Sequence, residues 1–290
     1  MKGRLVILAG GIGSRMKASP QMAWVGDRRL AEEADERSKA MIGVGAGYRP
    51  FLDYLLYNAR EAGYQDVVIV IGERDDVIRS YYGGSKGKSG LEGLRISYAI
   101  QAIPEGREKP LGTADALLQA LNAREDWEGQ KFTVCNSDNL YSTKALRLLL
   151  DAPDANAMID YNRSALEFDE ERIERFAVIL KDERGYLRTI IEKPTREEIS
   201  QARDPGGRIG VSMNIFAFSQ AQILPVLREV PLHPVRKEKE LPVAVNMLVD
   251  QFPRAVMTYP LSEHVPDLTS KEDLIPVRKQ IAMMFKKVRL

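Results

Sequence analysis

"VILAGGIGSRM", residues Val6–Met16, is the stretch on which the reading of the chain turns. An apolar run breaks into Gly10, Gly11 and Gly13 and closes on Ser14 and Arg15. In an open α/β sheet, ligands bind beyond the carboxyl ends of the strands, where a turn of this kind lies. Glycines there let backbone N–H groups approach an anion with no Cβ in the way. Ser14 adds a hydroxyl donor, and Arg15 a fixed charge with a fork suited to phosphate oxygens. The stretch reads either as a phosphate cradle or as a tight turn that only redirects the chain. It is not the dinucleotide fingerprint, whose third glycine would fall on Met16, and it lacks the Lys-Ser/Thr ending of a P-loop.

Working outward, the first strand covers Arg4–Ala9. "PFLDYLLYNAREAGY" places Phe51, Leu52, Leu55, Leu56 and Ala59 at helical spacing, with Gly63 as the stop. "QDVVIVIG" is the unbroken β-branched run of a parallel strand buried on both faces. A strand around Leu94–Ile100, the helix "TADALLQALNA" and the strand "KFTVCNSD" continue the alternation. Residues 17–38, "KASPQMAWVGDRRLAEEADERS", read as a long loop carrying a short exposed helix rather than core. Beyond about Asp151 the pattern changes: "NAMIDYN", "RFAVILKD", "YLRTIIEKP" and "GVSMNIFAFS" read as strands joined by turns such as "DERG" and "DPGG", which fits antiparallel pairing. "EKELPVAVNMLVDQF" and "SKEDLIPVRKQIAMMFKKV" read as helices. The expected architecture is α/β, a Rossmann-like three-layer α/β/α mixed sheet with an inserted antiparallel substrate lobe. It forms a single domain over 1–290, with a nucleotide-binding half at about 1–150 and a substrate half with the C-terminal helices at about 151–290.

Bulk properties narrow the function classes. A chain of 290 residues, 44% hydrophobic and 29% charged, excludes disordered and fibrous classes. Forty-two basic residues against 41 acidic, a net +1, give no basic face for nucleic acid. The single cysteine, Cys135, has no partner for an internal disulfide and lies in an apolar strand as a small core residue; a cytoplasmic, reducing setting is expected. No apolar run is long enough to span a bilayer, so no stable membrane insertion is expected. The N-terminal "MKGRLVILAGG" reads as a mature strand rather than a signal peptide.

Two further segments carry chemistry. "VCNSDN" ends a strand on Asp138, where a carboxylate serves either a hard divalent cation such as Mg2+ or the cap of the next helix. "IIEKP" ends another strand on Glu192 and Lys193: the lysine can balance a substrate phosphate and the glutamate can accept sugar hydroxyls, or the pair is a solvated edge.

Taken in order, "LAGGIGSRM", "SKAMIGV", "KPLGTADALL", "CNSDN", "IIEKP" and "SKEDL" resemble the sugar-phosphate nucleotidyltransferases, the pyrophosphorylase family that makes nucleotide sugars, over about residues 4–275. "KAMIGVGAGYRPFLDY" and "PEGREKPLGTADALL" resemble most a bacterial branch near the UTP-glucose-1-phosphate uridylyltransferases. The resemblance implies a nucleotide-diphospho-sugar transferase fold and an Mg2+-assisted reaction of an NTP with a sugar 1-phosphate. It implies that Gly10, Gly11, Gly13 and Ser14 hold the triphosphate, with Arg15 on its outer phosphates and Lys39 closing the loop. Gly112 and Thr113 match the base-binding segment, and Gln101 matches the glutamine that reads a pyrimidine edge, which favours UTP or dTTP. Asp138 matches the metal aspartate and Asp267 the second metal carboxylate. Glu192 and Lys193 match the sugar and sugar-phosphate contacts.

The chain departs from the family pattern in four places. The segment between Arg15 and Lys39 is longer, Ser38 stands where a proline precedes the lysine, Asp267 is one residue off the family spacing, and Asn214 stands for a glycine in the sugar-site strand. The implied reaction needs no general base, because the attacking phosphate is already an anion; His233 and His264, away from every motif in sequence, read as surface or loop residues. The C-terminal stripe Val277, Ile281, Met284, Phe285 and Val288 reads as packing on the body or on a second copy, so a homo-oligomer stays open. A non-catalytic nucleotide-sugar-binding regulator and a glycosyltransferase using a nucleotide sugar are the rival readings.

Overall fold

The computed structural model describes residues 3–18, 27–73, 75–84, 91–286 and 288. The strands are β1 (Gly3–Leu8), β2 (Tyr64–Gly72), β3 (Arg95–Gln101), β4 (Lys131–Asn136), β5 (Asn156–Asn162), β6 (Val178–Lys181), β7 (Leu187–Ile191), β8 (Gly210–Val211), β9 (Ile215–Ser219) and β10 (Val256–Leu261). The helices are α1 (Ser14–Ala18), α2 (Arg28–Glu36), α3 (Phe51–Ala62), α4 (Asp76–Gly83), α5 (Thr113–Asn122), α6 (Thr143–Asp151), α7 (Glu170–Glu174), α8 (Arg196–Gln201), α9 (Gln220–Glu229), α10 (Leu241–Gln251) and α11 (Leu274–Met284).

One sheet carries strands from both halves of the chain, in the order β3-β2-β1-β4-β9-β5-β8-β6-β7, with β10 paired to β5. β1, β2, β3 and β4 are parallel. This is what their apolar character requires: Leu5 and Ile7 enter one core and Val6 and Leu8 the other, so β1 is buried on both faces. One core lies under α3, α4, α6 and α11, and the other under α5, α9 and α10. The layers are therefore helix, sheet, helix.

In the second half β4–β9, β9–β5, β5–β8, β8–β6 and β6–β7 are antiparallel, as the turn-rich sequence leads one to expect. β10 is the exception, running parallel to β5 from Val256↔Asn156 to Leu261↔Tyr161. The β6–β7 turn then folds back on it, with Thr258 N donating to the Gly185 carbonyl at 3.0 Å. "GVSMNIFAFS" is two strands rather than one, because Asn214 has φ +55° and breaks the extended backbone between β8 and β9. "SKAMIGV" forms a short helical turn at Lys39–Met41.

The insertion also departs from its sequence reading. Residues 19–26, with Trp24, lie outside the described residues. Beyond them, α2 is no surface ornament: Leu30 and Ala34 belong to a core, and Glu33 is buried because its carboxylate accepts the Gly43 N–H at 2.7 Å. The C-terminal stripe packs on the body, as read: Val277 and Ile281 are buried, and the Phe285 ring sits 4.7 Å from that of Tyr54. Met284 is exposed.

At the amino ends of the strands, opposite the carboxyl edge, Asp66 is a hub. It accepts from Arg124 Nη1 at 2.8 Å, from Trp127 Nε1 at 3.2 Å and from Arg95. Burial pushes this carboxyl up, but the hydrogen bonds from Arg124 and Arg95 outweigh burial and hold it well below the usual carboxylate range. The folded state thus favours the ionised form, and the stabilisation is present above the unfolded pKa of about 3.9 and lost as pH falls below it. Asp66→Ala is expected to cost on the order of 3 kcal/mol at neutral pH, because two guanidinium groups lose a buried partner. Urea unfolding from pH 7 to pH 3 tests this: the gap between wild type and variant should stay constant above about pH 5 and shrink below pH 4.

Candidate active site

The glycine turn sits where β1 ends, at the carboxyl edge of the parallel strands. Ala9 N still donates to the Val70 carbonyl at 2.8 Å, so the chain leaves the sheet only at Gly10. Gly11 has open space around it, and Gly13 takes φ +65°, a left-handed conformation that turns the chain into α1. Ser14 and Arg15 begin α1; their side chains lie outside the described residues.

Lys39 reaches this turn from the far side of the insertion. Its Cγ lies 3.8 Å from where a Cβ on Gly13 would be, and its Nζ donates to Asp138 Oδ2 at 2.8 Å. Lys39 and Asp138 are 99 positions apart and both partly buried, so this ion pair joins two distant segments at the glycine turn.

Asp138 follows β4 directly: Ser137 N donates to the Leu8 carbonyl, carrying the strand pairing one residue further. The next residues pair with the C-terminal segment. Leu140 N donates to the Pro266 carbonyl at 2.8 Å, Leu268 N to the Asp138 carbonyl at 2.9 Å, and Asn139 bridges Asp267. The offset spacing of Asp267 therefore does not keep it away from Asp138. Asp267 is pushed up to about 6, first by burial and then by the Asp138 charge, against the pull of Arg172, Lys39 and the Thr269 hydroxyl. Thr269 Oγ1 donates to Asp267 Oδ1 at 2.9 Å, and Arg172 Nη2 lies 2.9 Å from Oδ2. Arg172, on α7, also binds Asp273 and lies over the Phe168 ring. Sequence reasoning missed it, since "EERIERF" reads as any solvated charge run.

The Gln101–Gly112–Thr113 segment is built on the other flank of the glycine turn. Gln101, at the end of β3, is 2% exposed; its Nε2 donates to the Gly112 carbonyl and to Asp115 Oδ2, each at 2.8 Å. Its Oε1 faces Gly10, 2.9 Å from where a Cβ would stand. Gly112 takes φ +105°, and a Cβ there would come within 2.5 Å of the Lys239 carbonyl. Thr113 Oγ1 accepts from Leu241 N at 2.9 Å, and Ala114 N donates to Lys239 O at 3.0 Å.

Residues 231–240 thus strap the Gly112–Thr113 segment down, and they also reach Glu192 and Lys193. Arg236 Nη2 lies 3.2 Å from Glu192 Oε2 and donates to Glu240 Oε2 at 2.7 Å. Glu192, Lys193, His233, Arg236 and Glu240 line a cavity of about 260 Å³. Burial raises Glu240, followed by the Glu192 charge. His233 is a partly exposed loop residue, as read, yet it lines the same cavity as Glu192 and Lys193, its Nδ1 accepting from Val235 N and Arg236 N at 3.1 Å. His264 is a half-buried loop residue whose Nδ1 accepts from Glu167 N at 3.0 Å.

Lys193 and Asn214 both carry positive φ, +50° and +55°. For Asn214 this accounts for the departure noted above. Asparagine is the non-glycine residue that best tolerates the left-handed region, so the backbone a glycine would provide is kept. Tyr141 OH donates to the Met213 carbonyl at 2.6 Å, tying this bend to the segment after Asp138. Cys135 is fully buried beneath.

The glycine turn, the Lys39–Asp138 pair and the Asp267 segment gather at the carboxyl edge of a mixed three-layer sheet, which makes the class Rossmann-like α/β/α. The chain belongs to the nucleotidyl transferase family, whose model matches residues 4–229. It is 25% identical over 224 residues to glucose-1-phosphate adenylyltransferase of Corynebacterium jeikeium, covering 77% of this chain and 51% of that protein. It is 24% identical over 254 residues to the chloroplastic/amyloplastic small subunit of the same enzyme from Triticum aestivum, covering 86% and 48%. The chain spans about half the length of these curated relatives. The fold is shared with a UDP-glucose pyrophosphorylase solved in complex with UDP-glucose, at a TM-score of 0.70 and 18% identity over 98% of this chain and 100% of the other. Among the described residues no helix is long and apolar enough to cross a membrane.

Proposed function

We propose that the chain transfers a nucleotidyl group from an NTP to a sugar 1-phosphate, releasing pyrophosphate and a nucleotide sugar, with residues 1–290 acting as one catalytic unit. The observation that carries this reading is the Lys39–Asp138 pair, seated against Gly13 on one side and on the Asp267 segment on the other. A phosphate oxygen of the sugar phosphate attacks the α-phosphorus, and the bond to the departing pyrophosphate breaks in line. The nucleophile is already ionised, so the barrier is repulsion between two polyanions; positioning and charge neutralisation carry the catalysis.

The roles follow the family resemblance, with the described positions in support for every residue but Arg15. The backbone of Gly10–Gly13 receives the triphosphate, Lys39 and Arg15 neutralise it, and Lys193 faces the sugar phosphate with Glu192 and Asn214 on the sugar side. Gly112 and Thr113 border the base. Gln101 has given its N–H groups inward, so its free acceptor suits the N3–H of uracil or thymine.

The carboxylates fit a hard cation. Asp138 and Asp267 offer oxygen donors only, side by side, and each hydrogen bond they accept leaves lone pairs free. Asp138 with Asp267 would hold Mg2+, which when bound supplies positive charge to the reacting phosphates. The cytoplasm is the setting this chemistry suits.

The test is pyrophosphate release from a panel of UTP, dTTP, ATP, CTP and GTP against sugar 1-phosphates with Mg2+. Release with UTP or dTTP is expected. Release with ATP alone would overturn the reading of Gln101 and align the chain with its adenylyltransferase relatives. Nucleotide-sugar binding without any release would indicate a regulator, and sugar transfer to an acceptor a glycosyltransferase.

A further inference from the structure

The helix that leads to Lys39 is fastened to the turn that follows Asp267. α2 ends at Glu36, and Lys39 opens its own short turn just beyond. Asp35, in the last turn of α2, forms an ion pair with Lys271 Nζ. Lys271 is 2% exposed, a burial that lysine tolerates only when paired. It lies shortly after Asp267 in a tightly bonded turn: Thr269 donates to Asp267, Ser270 and Asp273 form a capping box, and Asp273 holds the Arg172 that also pairs with Asp267. The circuit closes through Leu268 N on the Asp138 carbonyl and Lys39 on the Asp138 carboxylate. The segments bearing Lys39, Asp138 and Asp267 are thus linked each to the next, and Asp35–Lys271 is the link that passes through the insertion.

We propose that Asp35 and Lys271 are positioning residues: the ion pair between the partly exposed Asp35 and the buried Lys271 sets the end of α2, and with it Lys39, against the Asp138–Asp267 pair. The kinetic consequence rests on the nucleotidyl-transfer reading; the mechanical one does not. The other end of α2 supplies an internal control. Asp27 pairs with Arg278 and accepts from Tyr48 OH, roughly 12 Å along the helix at 1.5 Å per residue.

The experiment compares wild type, Lys271→Met, the Asp35→Asn/Lys271→Met double variant, Lys271→Arg and the control Asp27→Asn. The double variant leaves no unpaired charge, so it keeps the test open where Lys271→Met alone does not fold. Amide hydrogen exchange is read at residues 38–43, where Met41 N, Ile42 N and Gly43 N are all hydrogen-bonded in the native fold, and at residues 266–270. Exchange roughly 10-fold faster in both segments is expected for Lys271→Met and the double variant, with Asp27→Asn unchanged there and Lys271→Arg recovering protection. On the active pair of substrates, kcat should fall on the order of 10- to 100-fold with melting temperature little changed. Unchanged exchange at 38–43 in the folded double variant overturns the proposal. So does faster exchange with wild-type kcat, or an equal effect from Asp27→Asn. If wild type releases no pyrophosphate with any substrate pair, the nucleotidyl-transfer reading fails while the exchange comparison still decides whether the ion pair positions Lys39.

Discussion

Asp138→Asn is expected to lower turnover on the order of 100- to 1000-fold and to leave folding intact. The change is isosteric, and the backbone that organises this corner remains: Leu268 N still meets the carbonyl of residue 138. What disappears is the charge. Lys39 loses the carboxylate that holds it at 2.8 Å, and Asp267 loses the negative neighbour that raises it. Both phosphates then enter a site whose cation is no longer aimed. Steady-state pyrophosphate release, read beside a thermal melt, checks the result. Activity within a few-fold of wild type would remove Asp138 from the machinery, and a collapsed melt would make it a structural residue.

Gly112→Ala is expected to have the largest effect of any single methyl group near the site. The residue has φ +105°, and the added Cβ would press on Lys239 O at 2.5 Å and Lys239 N at 3.0 Å. Backbone strain and the clash together are expected to cost about 3 kcal/mol. The strap of residues 231–240 must lift, which releases Thr113 from Leu241 and disturbs Arg236 on Glu192. KM for the nucleotide should therefore rise about 10-fold, a loss near 1.4 kcal/mol. Urea unfolding and nucleotide saturation curves test the two halves separately. Wild-type values in both would show that the strap does not hold the Gly112–Thr113 segment.

The parallel half of the fold is legible in the chain because its central strands carry unbroken apolar runs, and "VILAGG" and "VVIVIG" allow little else. β10 is less legible: "VMTYPL" contains Pro260, which marks an edge at best, and its parallel pairing to β5 depends on where α9 and α10 deliver the chain. α2 is hidden by its charges. "RRLAEEADE" looks solvated, and nothing local shows that Glu33 is consumed by the Gly43 N–H.

For the site, Gly13, Asp138, Glu192 and Lys193 announce themselves as turn and strand-end residues. Lys39 and Asp267 do not, and they enter through the ordered resemblance alone. Arg172, His233, Arg236 and Lys271 emerge only in three dimensions, because each is one charge or ring in a run of polar residues whose partners lie far along the chain. Arg236 sits in "VRKEKE", where any of several charges has equal claim until the fold places one beside Glu192.

The most direct test of the whole arrangement is a crystal soaked with the preferred NTP and Mn2+ in place of Mg2+, read by anomalous scattering. The expected map has the triphosphate along the Gly11–Gly13 backbone with Lys39 turned to it, and the metal peak on the Asp138 carboxylate facing Asp267. A triphosphate and metal bound together elsewhere, with the Lys39–Asp138 pair undisturbed, would contradict it.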